Sequence, residues 1–97
     1  MLSPADVRAL ADGGHVYAAT TYHGHGLRFP DAVAALRRCN RVSRDLRTDA
    51  SGNIRHPEGF VAFGKTPIGQ KVRVDFNLIE ETDGLTVLVV TAFRVNE

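Results

Sequence analysis

The most regular pattern in the chain is the alternation of apolar and polar residues over its last third. In residues 71–80 the apolar side chains fall on one face of a strand and most polar ones on the other. Residues 85–95 are apolar on both faces except at Arg94, which is typical of a central strand. Asp83 and Gly84 between the two runs are a strong hairpin signal. The pattern predicts a closing β-hairpin whose second strand lies inside the sheet.

This hairpin also predicts a cluster of charge. If Asp83 and Gly84 form a two-residue loop, the ladder pairs Arg73 with Arg94, and Asp75 lies one step along on the same face. Two like charges that face each other destabilise a sheet, so we expect Asp75 or an external anion to compensate them. The simpler interpretation is a surface ion pair worth about 0–1 kcal/mol.

The upstream residues predict two helices and two more strands. Ser3 is a suitable N-cap and Pro4 a suitable first helical residue, and Pro30 marks a second helix start. Residues 15–23 are ambiguous, with a short edge strand as one interpretation. The elements are predicted from Ser3 to Gly13, from about Pro30 to Cys39, and over residues 41–47 and 60–66. The sum is one α+β domain over residues 1–97, with two N-terminal helices packed on a four-stranded antiparallel sheet.

Charge is distributed unevenly along the chain. The formal net charge is +1, but residues 28–55 hold seven arginines against three aspartates. Ten of the twelve basic residues are arginine, the side chain that binds phosphate or carboxylate with two donors at once. This favours an acidic ligand, either nucleic acid or an acidic partner protein. A genome rich in GC would produce the same arginine bias without any ligand.

Other features argue against several classes of protein. Cys39 is the only cysteine, so there is no disulfide framework, and no Cys/His spacing resembles a zinc site. His23 and His25 flank Gly24 without a third metal ligand nearby, which favours a structural turn. Residues 1–12 are too short and charged for a signal peptide, and no apolar run approaches a membrane span. We expect a cytoplasmic protein with no cofactor, no metal and no membrane partner.

Several short motifs resemble the small RelE-like toxins of bacterial toxin–antitoxin pairs. A helix, then G-H-V-x-x-x-T, H-G-L-x-F at His25–Phe29, a second helix and a last strand ending in Phe93-Arg94 are similar to the MqsR-like branch. The stretch from Tyr22 to Ala32 resembles the K-H-G-x-x-F-x-x-A pattern of the BrnT-like branch, and so does the A-x-G-x-x-x-x-G run from Ala62 to Gly69. The resemblance implies a RelE-like fold.

The resemblance further implies the toxin of a type II pair, a metal-independent endoribonuclease (mRNA interferase). Such an enzyme uses the ribose 2′-hydroxyl to attack the adjacent phosphate, which requires a base, an acid and cations that bind the phosphate. The expected partners are an RNA substrate and a cognate antitoxin protein. The candidate catalytic residues are His56, Arg73, Asp75 and Arg94, and the candidate RNA-binding residues are Arg44, Lys65, Lys71 and Asn77.

One departure from the MqsR-like pattern supports an alternative function. The tyrosine that this branch carries on the penultimate strand is missing, because residues 72–74 are Val, Arg and Val. The alternative is a non-catalytic binding module of the same fold that holds an acidic partner protein or RNA. The missing tyrosine favours the module, and the grouping of His56, Arg73 and Arg94 favours the nuclease.

Overall fold

In a computed structural model that describes residues 2–96, two helices pack on a five-stranded mixed sheet. The elements are α1 (Pro4–Asp12), β1 (Val16–His23), α2 (Phe29–Arg37), β2 (Arg41–Arg44), β3 (Gly59–Lys65), β4 (Lys71–Glu81) and β5 (Gly84–Arg94). The strand order is β1-β5-β4-β3-β2, and β1 runs parallel to β5 while all other neighbours are antiparallel. Neither nine-residue helix is long and apolar enough to cross a membrane, among the residues described.

The predicted α+β class with two helices is confirmed, but the predicted four-stranded antiparallel sheet is wrong. The missing strand is β1, which the ambiguous residues 15–23 contain as an edge strand. Its pairing joins residues far apart in the chain, such as Val16 and Val87, and local periodicity carries no information about a pairing at that separation. A parallel pair needs a long connection, and here α2 and three strands lie between β1 and β5 in the chain.

The helix starts agree with the sequence. The backbone N–H of Asp6 donates to Ser3 Oγ at 3.2 Å, and the N–H of Ser3 donates to the Asp6 carboxylate at 2.9 Å. This reciprocal capping box holds the first turn of α1 and lowers the pKa of Asp6 through its hydrogen bonds to Ser3. The N–H of Arg28 donates to the Asp31 carboxylate at 3.1 Å in the same way at the start of α2.

The hydrophobic core lies between the helices and one face of the sheet. Its helical members include Val7 in α1 and Leu36 in α2, and its strand members include Val74, Phe76 and Val89. Both helices therefore cover the same side of the sheet, which we call the helix face. The opposite side, which we call the outer face, holds the alternate residues of each strand.

The closing hairpin forms, but its turn lies one residue earlier than predicted. Glu81 pairs with Gly84, so the two loop residues are Thr82 and Asp83. Gly84 has φ of 122°, in the region that favours glycine, which explains why the Asp-Gly signal is present but displaced. A displacement of this size shifts the pairing by two residues and leaves every side chain on its predicted face.

A β-bulge in β5 moves the residues that follow it to the opposite face of the sheet from the one predicted. Phe76 pairs with Val89, whereas the preceding Asp75 pairs with Thr91, so one extra residue of β5 is accommodated at this point. Beyond the bulge, Arg94 pairs with Val72 on the helix face and Arg73 pairs with Phe93 on the outer face. The predicted pairing of Arg73 with Arg94 is therefore wrong. No alternation reveals the bulge, because β5 is apolar on both faces.

Candidate functional site

A hollow of ≈ 580 Å³ opens on the outer face, where β3, β4 and β5 meet the segment between β2 and β3. The loop after β1 contributes its rim through His25. Its charged and imidazole side chains are His25, Asp45, Arg47, Arg55, His56, Asp75 and Arg94. The hollow thus brings together residues from four separate parts of the chain.

A network of alternating charges forms one wall of the hollow. Arg47 binds Asp45 through two hydrogen bonds, Nε to Oδ1 at 2.9 Å and Nη2 to Oδ2 at 2.8 Å. The same Nη2 donates to Asp75 Oδ2 at 2.9 Å, and Arg73 Nε donates to Asp75 Oδ1 at 2.9 Å. Two arginines and two aspartates therefore neutralise one another within a single connected group.

The network is built on partly buried carboxylates. The side chain of Asp45 is 3% exposed and that of Asp75 is 11% exposed. The hydrogen bonds from the Arg47 side chain lower the pKa of Asp45 to about 2, and those to Asp45 raise the pKa of Arg47. The backbone N–H of Asp45 donates to the Gly59 carbonyl at 2.9 Å, which fixes the network to β3.

The network changes the role predicted for Asp75, which was a catalytic one. Asp75 binds Arg73, one of the two arginines that it is expected to compensate, but among the described residues it forms no ion pair with Arg94. Both of its carboxylate oxygens accept hydrogen bonds from guanidinium groups, so neither is left to take a proton from a substrate. Arg73 and Asp75 therefore serve the hollow as a rigid wall.

Two histidines line the hollow in addition to this network. His56 is exposed in the loop before β3, where its carbonyl accepts the N–H of Gly59 at 2.9 Å. His25 has a positive φ of 48°, an uncommon conformation for a residue other than glycine. Its Nδ1 lies 3.2 Å from the Ala92 carbonyl and its ring packs edge-on against Phe93 at 5.6 Å. Because a carbonyl only accepts, Nδ1 is the donor in this contact, which leaves Nε2 outside the hydrogen bond.

The expected turn around Gly24 is present, and His25 has a further position that the sequence did not reveal. A Cβ on Gly24 would lie 2.0 Å from the Leu27 carbonyl oxygen, and Leu27 N–H donates to the Gly24 carbonyl at 2.7 Å. This tight turn places His25 against β5 at the rim of the hollow. The imidazole of His23 packs against that of His25 at 4.1 Å.

Arg55 and Arg94 supply the remaining positive charge. Arg94 is the last residue of β5, beyond the point where β1 stops pairing at Thr91, and its Nη1 lies 3.4 Å from the His25 carbonyl at the sheet edge. Among residues 2–96, no carboxylate lies within ion-pair distance of Arg55 or Arg94, whereas Asp45 and Asp75 are already neutralised. The hollow is therefore net positive.

The remaining predicted residues lie elsewhere. Arg44 is on the helix face, where its guanidinium covers the Phe60 ring at 5.5 Å and donates to the Pro57 carbonyl. Lys65 and Lys71 face each other at the far end of β3 and β4, roughly 20 Å along β4 from Asn77 at 3.3 Å per residue. Of the eight predicted site residues, four line the hollow, namely His56, Asp75, Asn77 and Arg94, and Arg73 joins it through Asp75.

Sequence reasoning missed several residues of the hollow. Asp45 and Arg47 fall on one face in the alternation of residues 41–47, a pattern that predicts only a shared face of a strand. The strand ends at Arg44, and the chain then turns so that Asp45 and Arg47 reach β4. Arg55 lies in loop residues for which a periodic pattern gives no position.

Neither a ready metal site nor a known relative identifies the function. In the part of the chain that the structure describes, no group of three or more His, Cys, Asp or Glu side chains is placed to hold a metal ion. Comparison with protein-family models, with curated proteins and with solved structures found no match for this chain.

Proposed function

We propose that the protein is an endoribonuclease that binds single-stranded RNA in the outer hollow and cleaves it without a metal ion. The observation that carries the proposal is that His25 and His56 line the same open hollow as Arg55 and Arg94, two cations without a carboxylate partner among the described residues. Guanidinium groups bind phosphate, and a pair of imidazoles supplies both a proton acceptor and a proton donor near neutral pH.

The reaction balances with these groups alone. One imidazole accepts the proton of the ribose 2′-hydroxyl, whose oxygen attacks the adjacent phosphorus while the bond from phosphorus to the 5′-oxygen breaks. The second imidazole, in its protonated form, donates a proton to the departing 5′-oxygen. The products are a 2′,3′-cyclic phosphate and a 5′-hydroxyl. Arg55 and Arg94 stabilise the negative charge that builds up on the phosphate oxygens.

In this assignment the roles of two predicted catalytic residues change. Arg73 and Asp75 hold the wall of the hollow, because each is engaged in the network with Arg47. His56 and His25 are the proton-transfer groups of the proposed reaction. Asn77, which lines the hollow beside Gly59 on β3, is placed to donate to or accept from a base or ribose.

The proposal extends to a role as the toxin of a toxin–antitoxin pair. A ribonuclease that cleaves messenger RNA stops translation and harms its own cell unless a partner neutralises it. The motifs at His25–Phe29 and at Phe93-Arg94 resemble those of such toxins, and both motifs contribute residues to the hollow. An acidic antitoxin segment would complement the free charge of Arg55 and Arg94.

A cleavage assay tests the proposal. We expect purified protein to cleave a labelled single-stranded RNA in the presence of a chelator and to leave a cyclic phosphate, and a 2′-deoxy substitution at the cleaved position to abolish the reaction. His25→Ala and His56→Ala should each lower kcat by about 10²- to 10⁴-fold, the usual value of one acid or base.

The matched control is His15→Ala. His15 lies at the opposite end of β1, where its Nδ1 is 4.0 Å from an Asp83 carboxylate oxygen, outside the hollow. This variant should cleave like the wild type. Absence of cleavage by the folded wild-type protein, or full activity in both hollow variants, would overturn the proposal.

The second candidate is a non-catalytic module that binds an acidic protein or RNA in the same hollow. The observation that favours it is that Asp75, the most central carboxylate, has both oxygens occupied by arginines. This candidate predicts binding of an anionic ligand that Arg55→Ala and Arg94→Ala weaken, with no cleavage of any RNA. The same cleavage assay therefore separates the two.

A further inference from the structure

A row of alternating arginine and phenylalanine side chains crosses the outer face beside the hollow. Arg41 on β2 pairs with Phe63 on β3, Phe63 pairs with Arg73 on β4, and Arg73 pairs with Phe93 on β5. Residues that face each other across adjacent strands project to the same side, so all four side chains share the outer face. We call these four residues the Arg-Phe row.

Each arginine in the row packs on a ring. The guanidinium carbon of Arg41 lies 5.1 Å from the centroid of Phe63, and that of Arg73 lies 5.3 Å from the centroid of Phe93. The edge contact of His25 with Phe93 continues this series of planar groups into the hollow. Phe63 and Arg73 are partners in the ladder of β3 and β4, so the two cation–π pairs lie next to each other across four strands.

The far end of the row opens into a second cationic depression. This depression, of ≈ 200 Å³, is lined by Arg41, Phe63 and Lys65 among others, and none of the described residues that line it is acidic. Arg41 is exposed, so the guanidinium face that does not cover Phe63 meets solvent. The Arg-Phe row thus connects two positively charged sites on one open surface.

Cation–π pairs of this kind also stabilise a sheet, at roughly 0.5–1 kcal/mol for an exposed pair. The pair of Arg44 and Phe60 on the helix face makes the same contact outside the row. What distinguishes the row is that two such pairs lie next to each other across four strands, between two cationic depressions.

We propose that the Arg-Phe row is a base-stacking path for single-stranded RNA, which leads the strand from the hollow to the second depression. This inference rests on the proposed function and specifies how its substrate is held. Bases stack on aromatic rings and on guanidinium planes with little dependence on sequence, and the cations beside the row bind the phosphates. Neighbouring strands lie about 4.8 Å apart, so the row spans roughly 14 Å, a length suited to a few nucleotides.

The charge and the rings together favour RNA over an acidic protein. The carboxylates of an acidic peptide would bind the cations of the two depressions, but they would not stack on the planar groups between them. A single-stranded nucleic acid uses both, because each nucleotide has a planar base and a phosphate. Competition experiments with an acidic peptide belong to the same test, and a peptide that displaces the RNA and loses affinity equally in the row variants would count against the path.

The experiment measures binding separately from cleavage. A fluorescent RNA of about ten nucleotides with 2′-fluoro sugars lacks the attacking hydroxyl, so its affinity is measured by anisotropy with no cleavage. We expect Arg41→Ala and Phe63→Leu each to weaken binding by about 5- to 150-fold, the range for loss of one stacking contact. Leucine retains an apolar side chain at Phe63, and circular dichroism and thermal unfolding verify that each variant is folded.

The matched control is Arg37→Ala. Arg37 is also a partly exposed arginine, but it is the last residue of α2, on the other side of the sheet, where its Nε lies 3.7 Å from an Asp12 carboxylate oxygen. Its removal should leave the affinity for RNA unchanged. Salt gives a second readout: Arg41→Ala should reduce the slope of log affinity against log salt by about 1 if Arg41 also contacts a phosphate, whereas Phe63→Leu should leave the slope unchanged.

The possible outcomes test the base-stacking path separately from the proposed nuclease activity. Wild-type affinity in both folded row variants overturns the path, even if the protein cleaves RNA at the hollow. Loss of affinity equal to theirs in Arg37→Ala also overturns it, since the effect would then be a general effect of positive charge. Row-dependent binding by a protein that cleaves no RNA supports the path and overturns the proposed catalysis instead.

Discussion

At the scale of single residues, the network of Asp45, Arg47, Asp75 and Arg73 explains why charged groups can be buried in the wall of the hollow. A buried charge is costly unless it is paired and hydrogen-bonded. Each carboxylate oxygen here accepts at least one hydrogen bond from an arginine. No buried side-chain nitrogen or oxygen among the described residues lacks a hydrogen-bond partner. The wall of the hollow is therefore held in one geometry without a free buried charge.

The depressed pKa of Asp45 makes a prediction about acid stability. Its folded pKa, about 2, lies below the ordinary value of 3.8, so its contribution is fully present above about pH 4 and is lost as pH falls toward 2. A shift of this size corresponds to about 2 kcal/mol. We expect Asp45→Asn to lower the free energy of unfolding by about that amount at pH 7 and by progressively less below pH 4, as measured by urea titration at several pH values.

The control for this prediction is Asp83→Asn. Asp83 lies in the turn between β4 and β5 with its side chain 71% exposed, and asparagine suits a turn equally well. Its replacement should change the stability by less than about 0.5 kcal/mol at any of these pH values. A deficit for Asp45→Asn that is as large at pH 2.5 as at pH 7 would contradict the linkage.

At the scale of elements, the tightest contact is between α2 and β3. A Cβ on Gly64 would lie 1.9 Å from the carbonyl oxygen of Ala35 and 2.8 Å from its carbonyl carbon. Because both atoms belong to the backbone of a helix, no side-chain rotation can relieve the overlap. Gly64 therefore sets the distance between α2 and the sheet, and with it the position of the core under the outer face.

Gly64→Ala should consequently separate α2 from β3. We expect a loss of at least about 3 kcal/mol in the free energy of unfolding, above the usual cost of overpacking because the obstacle is backbone. Gly69→Ala is the comparison: Gly69 has φ of 84° but open space around its Cβ position, so only the conformational cost of about 1–2 kcal/mol applies. Equal losses measured by denaturant titration would contradict the packing argument.

The elements show which parts of the fold local patterns predict. Strands β3, β4 and β5 and both helix starts are found where alternation and capping residues indicate them. Two features were not predictable for physical reasons. The pairing of β1 with β5 depends on contacts about seventy residues apart, such as Val16 with Val87. The bulge in β5 is hidden because a strand buried on both faces has no polar residue to mark a change of parity.

At the scale of the whole molecule, the fold covers one face of the sheet with helices and leaves the outer face open. The hollow on the outer face gathers His25, the segment from Asp45 to His56, and Asp75, which are separated in sequence but adjacent on the surface, and Arg94 joins them from the end of β5. Of these, His56, Asp75 and Arg94 were predicted from residue type and the family resemblance. His25, Asp45, Arg47 and Arg55 were missed as site residues, because only the tertiary fold brings loop residues to the same place.

The position of the hollow leads to a prediction about the cell. Because the hollow is open in the structure and contains every group that the proposed reaction needs, the protein should act without a second chain to complete its site. We expect expression from an inducible promoter, without any partner gene, to arrest growth within a few generations. His56→Ala and Arg94→Ala should relieve the arrest, because they remove a proton-transfer group and a phosphate-binding cation.

His15→Ala again provides the comparison, since His15 lies at the other end of β1 from the hollow and should leave the arrest intact. Growth curves and immunoblots of the soluble fraction, taken for all variants at equal induction, distinguish loss of toxicity from loss of protein. Normal growth of cells that contain soluble wild-type protein would remove the toxin role, whatever the protein binds in vitro. Arrest that persists in His56→Ala and Arg94→Ala would instead place the toxic activity outside the hollow, because both residues line it.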